Sequence, residues 1–346
     1  MTSLKFGLLE SDLQEILAKH ERHFKVFGDL EIMILGGTGF LGSWLAKSLM
    51  YANTELNLGM KIRINSRRLP EGDFTSDVQR TSNVFFVTKD LRFLTYEDVS
   101  SVDLFFFAAT ASDGTATNFE WQLSTTLGFS KLLSIVGKES RNRCAQRAKF
   151  VNLSSGAVYG KRKLSIDKAL SEIDGLSFQD DLSEYGKCKA YSEKLLHQFL
   201  QNSQIDGRNL RLFSLFGPGV PLDRHFAIGN FILDAYLGRD IRVTGNPKTK
   251  RNYIYPTDAI SAIISGSLQH KFYDLNVGSS RTTELIQVAQ LIANQFSVDT
   301  SYKNQSNPPN FYYPDITRLH ESCELSDYVT LEDGIQRWMT WLRLLK

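Results

Sequence analysis

A chain of 346 residues with 40 Lys+Arg against 38 Asp+Glu carries a formal charge of +2, which excludes a strong global field for nucleic acid or an anionic membrane. The length exceeds one typical domain, so two closely packed lobes are expected. Cys144, Cys188 and Cys323 lie far apart with no CxxC pair, which argues against both a disulfide framework and a zinc site.

Before about residue 30, Ser11 with Gln14 reads as a capping box, and Leu13, Ile16, Leu17, His20 and Phe24 keep near-helical spacing. Residues 1–29 are therefore expected to form a helical extension, with His20 along its packed stripe rather than on a metal. The N-terminus carries Lys5, Glu10 and Asp12 and no continuous apolar stretch, and the most apolar run, Leu104 to Ala109, is too short to span a bilayer. A soluble, cytoplasmic protein with no membrane partner is expected.

From Glu31 the apolar runs Ile32 to Leu35, Lys61 to Asn65, Val84 to Val87, Val102 to Phe107 and Lys149 to Leu153 alternate with helical stretches. That alternation predicts an α/β fold, a Rossmann-type doubly wound parallel sheet over residues 30–216. The basic clusters Arg141 to Lys149 and Lys161-Arg162-Lys163 lack interleaved aromatics and read as solvated surface, so no nucleic-acid partner is expected. After Phe216, Gly217-Pro218-Gly219-Val220-Pro221 is turn chemistry, and a helix is predicted over Phe226 to Tyr236. Residues 217–346 are assigned to a smaller C-terminal α/β lobe, with about 252–280, including the run Tyr273 to Val277, returning to the main sheet. Thr330-Leu331-Glu332-Asp333 before Ile335, Trp338, Leu342 and Leu345 predicts a closing capped helix.

Directly after the first main strand, Gly36-Gly37-Thr38-Gly39-Phe40-Leu41-Gly42 reads as a turn that opens a helix. Gly36 permits the bend, Gly39 lets the backbone approach a pyrophosphate, and Gly42 allows close packing, with the helix N-terminus facing the phosphates. Gly36, Thr38, Gly39, Phe40, Leu41 and Gly42 are thus candidate dinucleotide contacts. The end of the second strand reads Asn65-Ser66-Arg67-Arg68 instead of the acid that usually meets the adenosine ribose. Ser66, Arg67 and Arg68 suit a 2′-phosphate, so NADP is favoured and NAD is possible; the alternative is a solvated turn with two arginines. Asp90 and Leu91 after the third strand, and Ala108, Ala109 and Thr110 after the fourth, are further cofactor candidates or ordinary strand ends.

Tyr185 and Lys189 stand four apart and share a helix face. Lowering a phenol by about three pKa units takes roughly 4 kcal/mol, and both a nearby ammonium and a positively charged nicotinamide act in that direction. Ser155, in Leu153-Ser154-Ser155-Gly156-Ala157-Val158-Tyr159-Gly160, is placed to orient the reacting oxygen. Ser155, Tyr185 and Lys189 are the candidate catalytic residues, and the combination indicates a redox enzyme.

The glycine turn, Asp90-Leu91, Ser155 in its Ser-Ser-Gly-Ala-Val-Tyr-Gly setting, Tyr185 with Lys189, Arg211 to Pro218, Arg251 to Asp258 and Tyr273 to Ser279 together resemble the extended short-chain dehydrogenase/reductases, nearest the nucleotide-sugar epimerases and dehydratases. The resemblance covers nearly the whole chain after residue 30. It implies a Rossmann lobe, a smaller lobe for a nucleotide diphosphate sugar, and a homodimer joined through two helices per subunit. It also implies that Arg251 meets the diphosphate and that Asn230 is a substrate-side asparagine; a helix-cap or surface ion-pair role is the alternative for each. His225 is read as structural.

The departures from the family pattern discriminate further. Where 4,6-dehydratases carry an acid pair and decarboxylating members a glutamate, this chain has Gly156 and Ala157, and neither exchanges a proton. An acid in the loop from Ala109 to Trp121, Asp113 or Glu120, is the remaining route to elimination. Ser214 replaces an asparagine that relatives often place near the diphosphate. The expectation is hydride transfer at carbon 4 of a nucleotide diphosphate hexose by a 4-epimerase or 4-ketoreductase, with Arg67 and Arg68 tilting toward the reductase. A 4,6-dehydratase is the alternative enzyme, and a non-catalytic NAD(P)-binding sensor is the alternative of another class.

Overall fold

Seven parallel strands form the main sheet of the computed structural model, which describes residues 4–70, 72–110, 122–139, 148–175, 181–222, 226–302, 307–325 and 328–345. They are β1 (Glu31–Leu35), β2 (Lys61–Ser66), β3 (Val84–Thr88), β4 (Leu104–Phe107), β5 (Lys149–Ser155), β6 (Asp206–Leu212) and β7 (Asp274–Val277). Their spatial order is β7-β6-β5-β4-β1-β2-β3. The strand order reverses between β1 and β4, which opens a crevice at their carboxyl ends where ligands of such sheets bind.

Both faces of the sheet are covered, which explains why its strands read as apolar runs rather than as alternation. Ile32, Ile34 and Phe106 pack into the core on one face, while Met33, Leu35, Phe105 and Phe107 pack into the core on the other. A separate apolar cluster built on Phe231, Ile232, Val288, Ile292, Trp338 and Leu342 forms the second lobe. There the strand Lys250–Ile254 pairs antiparallel with Thr282–Glu284 and parallel with Phe311–Tyr312.

The six helices that matter for the site are α1 (Glu10–Val26), α2 (Phe40–Leu56), α3 (Glu184–Gln201), α4 (Ala227–Tyr236), α5 (Pro256–Leu268) and α6 (Leu331–Leu344). The Thr330 hydroxyl caps α6 by accepting from the Asp333 amide at 3.1 Å. The start of α1 differs from the sequence expectation: Leu9 occupies the N-cap without a side-chain bond, and Ser11 lies inside the first turn. A hairpin pairing Leu4–Lys5 with Leu8–Leu9 delivers the chain directly into the helix, through Phe6 and Gly7 at φ 54° and 72°.

Helix α1 is tied to both lobes. Its Asp12, fully buried, accepts from the Tyr255 hydroxyl at 2.9 Å and from Arg337 on α6 at 2.8 Å. His20 is also buried, between His23 and Ser265. Cys188 and Cys323 are buried free thiols, and Cys144 lies outside the described residues. Among the described residues no helix is long and apolar enough to cross a membrane, and no group of three His, Cys, Asp or Glu side chains stands close enough to hold a metal ion.

Candidate active site

The turn after β1 is built almost wholly from backbone. Gly36 has φ +77°, and a Cβ on it would stand 2.6 Å from the Ala109 Cα at the end of β4. The Gly36 and Gly37 amides both donate to the Asn65 carbonyl at 3.1 Å, while the Asn65 side chain donates to Val87 O and Lys89 O at 2.9 Å, so the ends of β1, β2 and β3 are locked together. A Cβ on Gly42 would collide with the Gly36 carbonyl oxygen, so only glycine lets α2 begin over the turn. A Cβ on Gly39 would meet only that oxygen, at 3.3 Å, so the hollow above it is bounded by backbone. The first amides of α2, those of Phe40 and Leu41, have no acceptor within the helix. Such a donor set at a helix N-terminus fits an anionic pyrophosphate.

Around this turn, Thr38 Oγ1 and Ser66 Oγ share a hydrogen bond of 2.8 Å. Arg67 and Arg68 are exposed. Asp90 is gripped by Arg92 through Nε and Nη2, both at 2.9 Å, and these bonds hold its carboxyl below the usual range, with Arg67 adding a smaller push in the same direction. Leu91 and Ala109 are buried, and Ala108 is partly buried. The Thr110 hydroxyl donates to Ala109 O at 2.8 Å.

Two strands away, about 10 Å by ordinary strand spacing, Ser155 ends β5 and caps the turn Gly156–Tyr159 by accepting from the Ala157 amide at 3.2 Å. Tyr185 lies in the first turn of α3, whose N-cap Ser183 accepts from the Gly186 amide at 3.1 Å. A Cβ on Gly186 would stand 2.6 Å from Ala157 O, so glycine at that place lets α3 start against the capped turn. Tyr185 is thereby brought beside Ser155; burial raises the Tyr185 pKa, and the neighbouring Ser155 hydroxyl opposes the rise. Lys189 stands one helical turn on, its Nζ 5.9 Å from the Tyr185 ring centre. Only 2% exposed, it donates to Leu153 O at 2.7 Å, and burial pulls its pKa down to about 8 against the attraction of Glu193.

A buried polar network sets the rotation of α3. Glu193 accepts from Ser154 Oγ at 2.5 Å and from the Arg211 fork at 3.0 and 2.8 Å. Arg211, on β6, also donates to the Tyr159 hydroxyl at 3.1 Å and lies 3.5 Å from Asp274 on β7. Asp274 in turn bonds His197 of α3 at 2.9 Å and so raises the His197 pKa. Helix α3 is thus tied to β5, β6 and β7 by side chains whose partners are themselves satisfied.

The sequence reading missed Tyr312. Its short strand pairs with Lys250–Ile254 in the register Arg251 with Tyr312, and this brings its hydroxyl into the neighbourhood of Ser155, where burial raises its pKa and Ser155 opposes the rise. Its ring packs on Phe213, with centroids 4.7 Å apart, and the Arg251 guanidinium lies 5.9 Å from it. Ser155, Tyr185 and Arg251 therefore gather around Tyr312. Arg251 donates to Lys250 O at 2.9 Å and to Asn310 O at 3.4 Å, and burial lowers its pKa. Asn230 lies half-buried on α4, its amide donating to Phe226 O at 3.1 Å. Asp113, Glu120 and His225 fall outside the described residues.

Residues 32–278 match the model of the NAD dependent epimerase/dehydratase family. The chain is 21% identical over 319 residues to UDP-glucuronic acid decarboxylase 1 of Xenopus tropicalis, covering 90% of this chain and 72% of that protein. It is 23% identical over 338 residues to the uncharacterized UDP-glucose epimerase YtcB of Bacillus subtilis, covering 91% and 99%. Its fold is similar to that of the UDP-glucuronic acid 4-epimerase from Bacillus cereus in complex with NAD, at TM-score 0.74 and 19% identity over 91% of this chain and 99% of that one.

Proposed function

The chain belongs to the NAD-dependent epimerase/dehydratase family, and from that premise we propose that it transfers a hydride at carbon 4 of a nucleotide diphosphate hexose, as a 4-epimerase or 4-ketoreductase. The observation that carries this reading is the buried Tyr185 beside Ser155, with Lys189 one turn beyond it and Gly156 and Ala157 following Ser155 in place of acids. Elimination needs a base at carbon 5 and an acid for the departing hydroxyl, and hydride transfer at carbon 4 needs only the first group this site supplies.

Tyr185 takes the proton of the carbon-4 hydroxyl, or returns one to a carbon-4 ketone, and Ser155 fixes the position of that oxygen. The buried Lys189 ammonium favours the ionised phenol by its charge. Gly36, Gly39 and the first amides of α2 hold the dinucleotide pyrophosphate, and the cofactor supplies the hydride acceptor or donor. Arg251 is assigned to the substrate diphosphate and Asn230 to the substrate side of the second lobe. NADP is favoured because β2 ends in Ser66-Arg67-Arg68 without an acid, with both guanidinium groups exposed; NAD is the alternative, and the solved B. cereus relative holds NAD. A cytoplasmic homodimer belongs to the same reading; Leu127 and Tyr191, 55% and 47% exposed on helical segments, offer it apolar surface.

The test is incubation with UDP, dTDP, GDP and CDP hexoses and either dinucleotide. Inversion at carbon 4 with unchanged cofactor identifies the epimerase, and stoichiometric NADPH consumption identifies the ketoreductase. Tight dinucleotide binding with no turnover of any sugar nucleotide would instead identify a sensor.

A further inference from the structure

Tyr255 stands where the chain passes between the two lobes. The outward crossing, Phe216 to Gly219, and the return crossing, Ile254 to Pro256, run side by side: Ser214 and Leu215 pair in parallel with Tyr253 and Ile254, and the Phe216 amide donates to Ile254 O at 3.3 Å. The Phe216 and Tyr255 rings meet edge to face, 5.6 Å apart. Helices from both lobes close on this pair. Trp44 of α2 lies edge-on to Tyr255 at 6.3 Å and donates from Nε1 to Pro218 O at 2.8 Å. Gly334 of α6 sits so close that a Cβ there would stand 2.5 Å from the Phe216 ring and 2.9 Å from that of Tyr255.

One carboxylate completes the junction. Tyr255, wholly buried, donates to Asp12 Oδ2 at 2.9 Å, and Asp12 Oδ1 accepts from Arg337 of α6 at 2.8 Å. Arg337 also donates to Glu15 at 2.6 Å, and its guanidinium lies 5.6 Å from the centre of the Tyr255 ring. Asp12 and Arg337 both lie outside residues 32–278, the family-matched segment. Helix α1 is itself seated on the Rossmann lobe, because Leu13, Ile16 and Phe24 belong to its apolar core. Asp12 thus ties that lobe to the return crossing and to the closing helix of the second lobe. The outward crossing carries Gly217 and Gly219 at φ +128° and +90°, the backbone freedom from which a hinge is made.

We propose that Asp12 and Tyr255 are positioning residues that clamp this hinge: Asp12 holds the return crossing and so fixes the strand Lys250–Ile254, with Arg251 on it, relative to the dinucleotide turn. This rests on Arg251 meeting the substrate diphosphate in the function proposed above. A looser clamp lowers the fraction of molecules whose lobes stand in the binding arrangement, and apparent affinity falls by that fraction. Ser155, Tyr185, Lys189 and the glycine turn all lie within the Rossmann lobe and keep their mutual geometry.

The test pairs Tyr255→Phe, which removes one hydroxyl and keeps the ring contacts, with Asp12→Asn, which leaves one oxygen for two donors. In the NAD-loaded protein, amide hydrogen exchange over residues 214–220 and 250–256 should quicken about tenfold in Tyr255→Phe while exchange of Glu31–Leu35 stays unchanged. With the UDP, dTDP, GDP or CDP hexose that the parent turns over, KM should rise about three- to tenfold. The same principle leaves kcat and the NAD dissociation constant within about twofold. Asp12→Asn should move exchange and KM in the same direction. Exchange that quickens equally in Glu31–Leu35, or quickens nowhere, overturns the proposal, as does an unchanged KM beside faster exchange at the crossings. The exchange measurement needs no sugar, so selective quickening in a protein that turns over no hexose would support the clamp and count against the carbon-4 function.

Discussion

Lys189 donates from Nζ to the Leu153 carbonyl oxygen at 2.7 Å, anchoring the ammonium to the strand that carries Ser155 two residues later. The burial that makes this charge effective also opposes it: the pKa falls from the ordinary 10.5 to about 8, which corresponds to roughly 3 kcal/mol. The folded chain binds fewer protons than the unfolded chain between those values, so this group makes stability rise with pH from about 8 to 10.5. Below that window the penalty is fully present. Lys189→Met should therefore leave the cofactor-free protein at least as stable as the parent at pH 7, after about 1 kcal/mol for the lost bond to Leu153. Turnover should fall at least about a hundredfold. Denaturant midpoints and rates measured together check this; a variant that loses several kcal/mol would show Lys189 to be structural.

The glycine turn separates fold from binding. Gly36→Ala places a Cβ against the Ala109 backbone at φ +77° and should cost on the order of 1–3 kcal/mol from backbone strain alone. Gly39→Ala meets only Gly36 O at 3.3 Å, so it should fold normally and weaken dinucleotide binding about tenfold, near 1.4 kcal/mol. Melting curves and cofactor titration on the two variants should give opposite profiles.

On the proposed reading, cofactor choice turns on the exposed Arg67 and Arg68. Replacing both by Ala should narrow or reverse a preference for NADP over NAD, read as the ratio of dissociation constants. A parent protein that already prefers NAD would reduce the pair to a solvated turn.

The N-terminal helix contributes to stability through Asp12. Arg337→Ala leaves that fully buried carboxyl with Tyr255 alone and should cost about 3 kcal/mol. Asp12→Asn, which removes the charge and keeps an acceptor, should cost less than Arg337→Ala in urea unfolding.

The sheet, the glycine turn and the shared helix face of Tyr185 and Lys189 were legible because their signals are local. A buried strand running into a glycine turn and a tyrosine four residues before a lysine are each read from neighbouring positions. Tyr312 was not legible, because its place depends on the pairing of a two-residue strand, Phe311–Tyr312, with Lys250–Ile254. The only sequence trace is a pair of tyrosines before Pro314. The start of α1 was misread for a similar reason. Its hairpin turn places Phe6 at φ 54°, where Asn or Gly is the usual sequence signal, so nothing marked a strand before the helix. In the sequence Asp12 is only one of the N-terminal charges; its partners Tyr255 and Arg337 are remote in sequence, so its burial left no local sign.

The central claim is that chemistry stops at carbon 4. The most direct test is mass spectrometry of the product formed from a nucleotide hexose in heavy water. Hydride movement alone leaves carbon 5 untouched, so the account predicts a product without deuterium at carbon 5 and without loss of water. A 6-deoxy-4-keto sugar bearing solvent deuterium at carbon 5 would contradict it, and would place an acid and a base at this site from a segment other than Gly156 and Ala157.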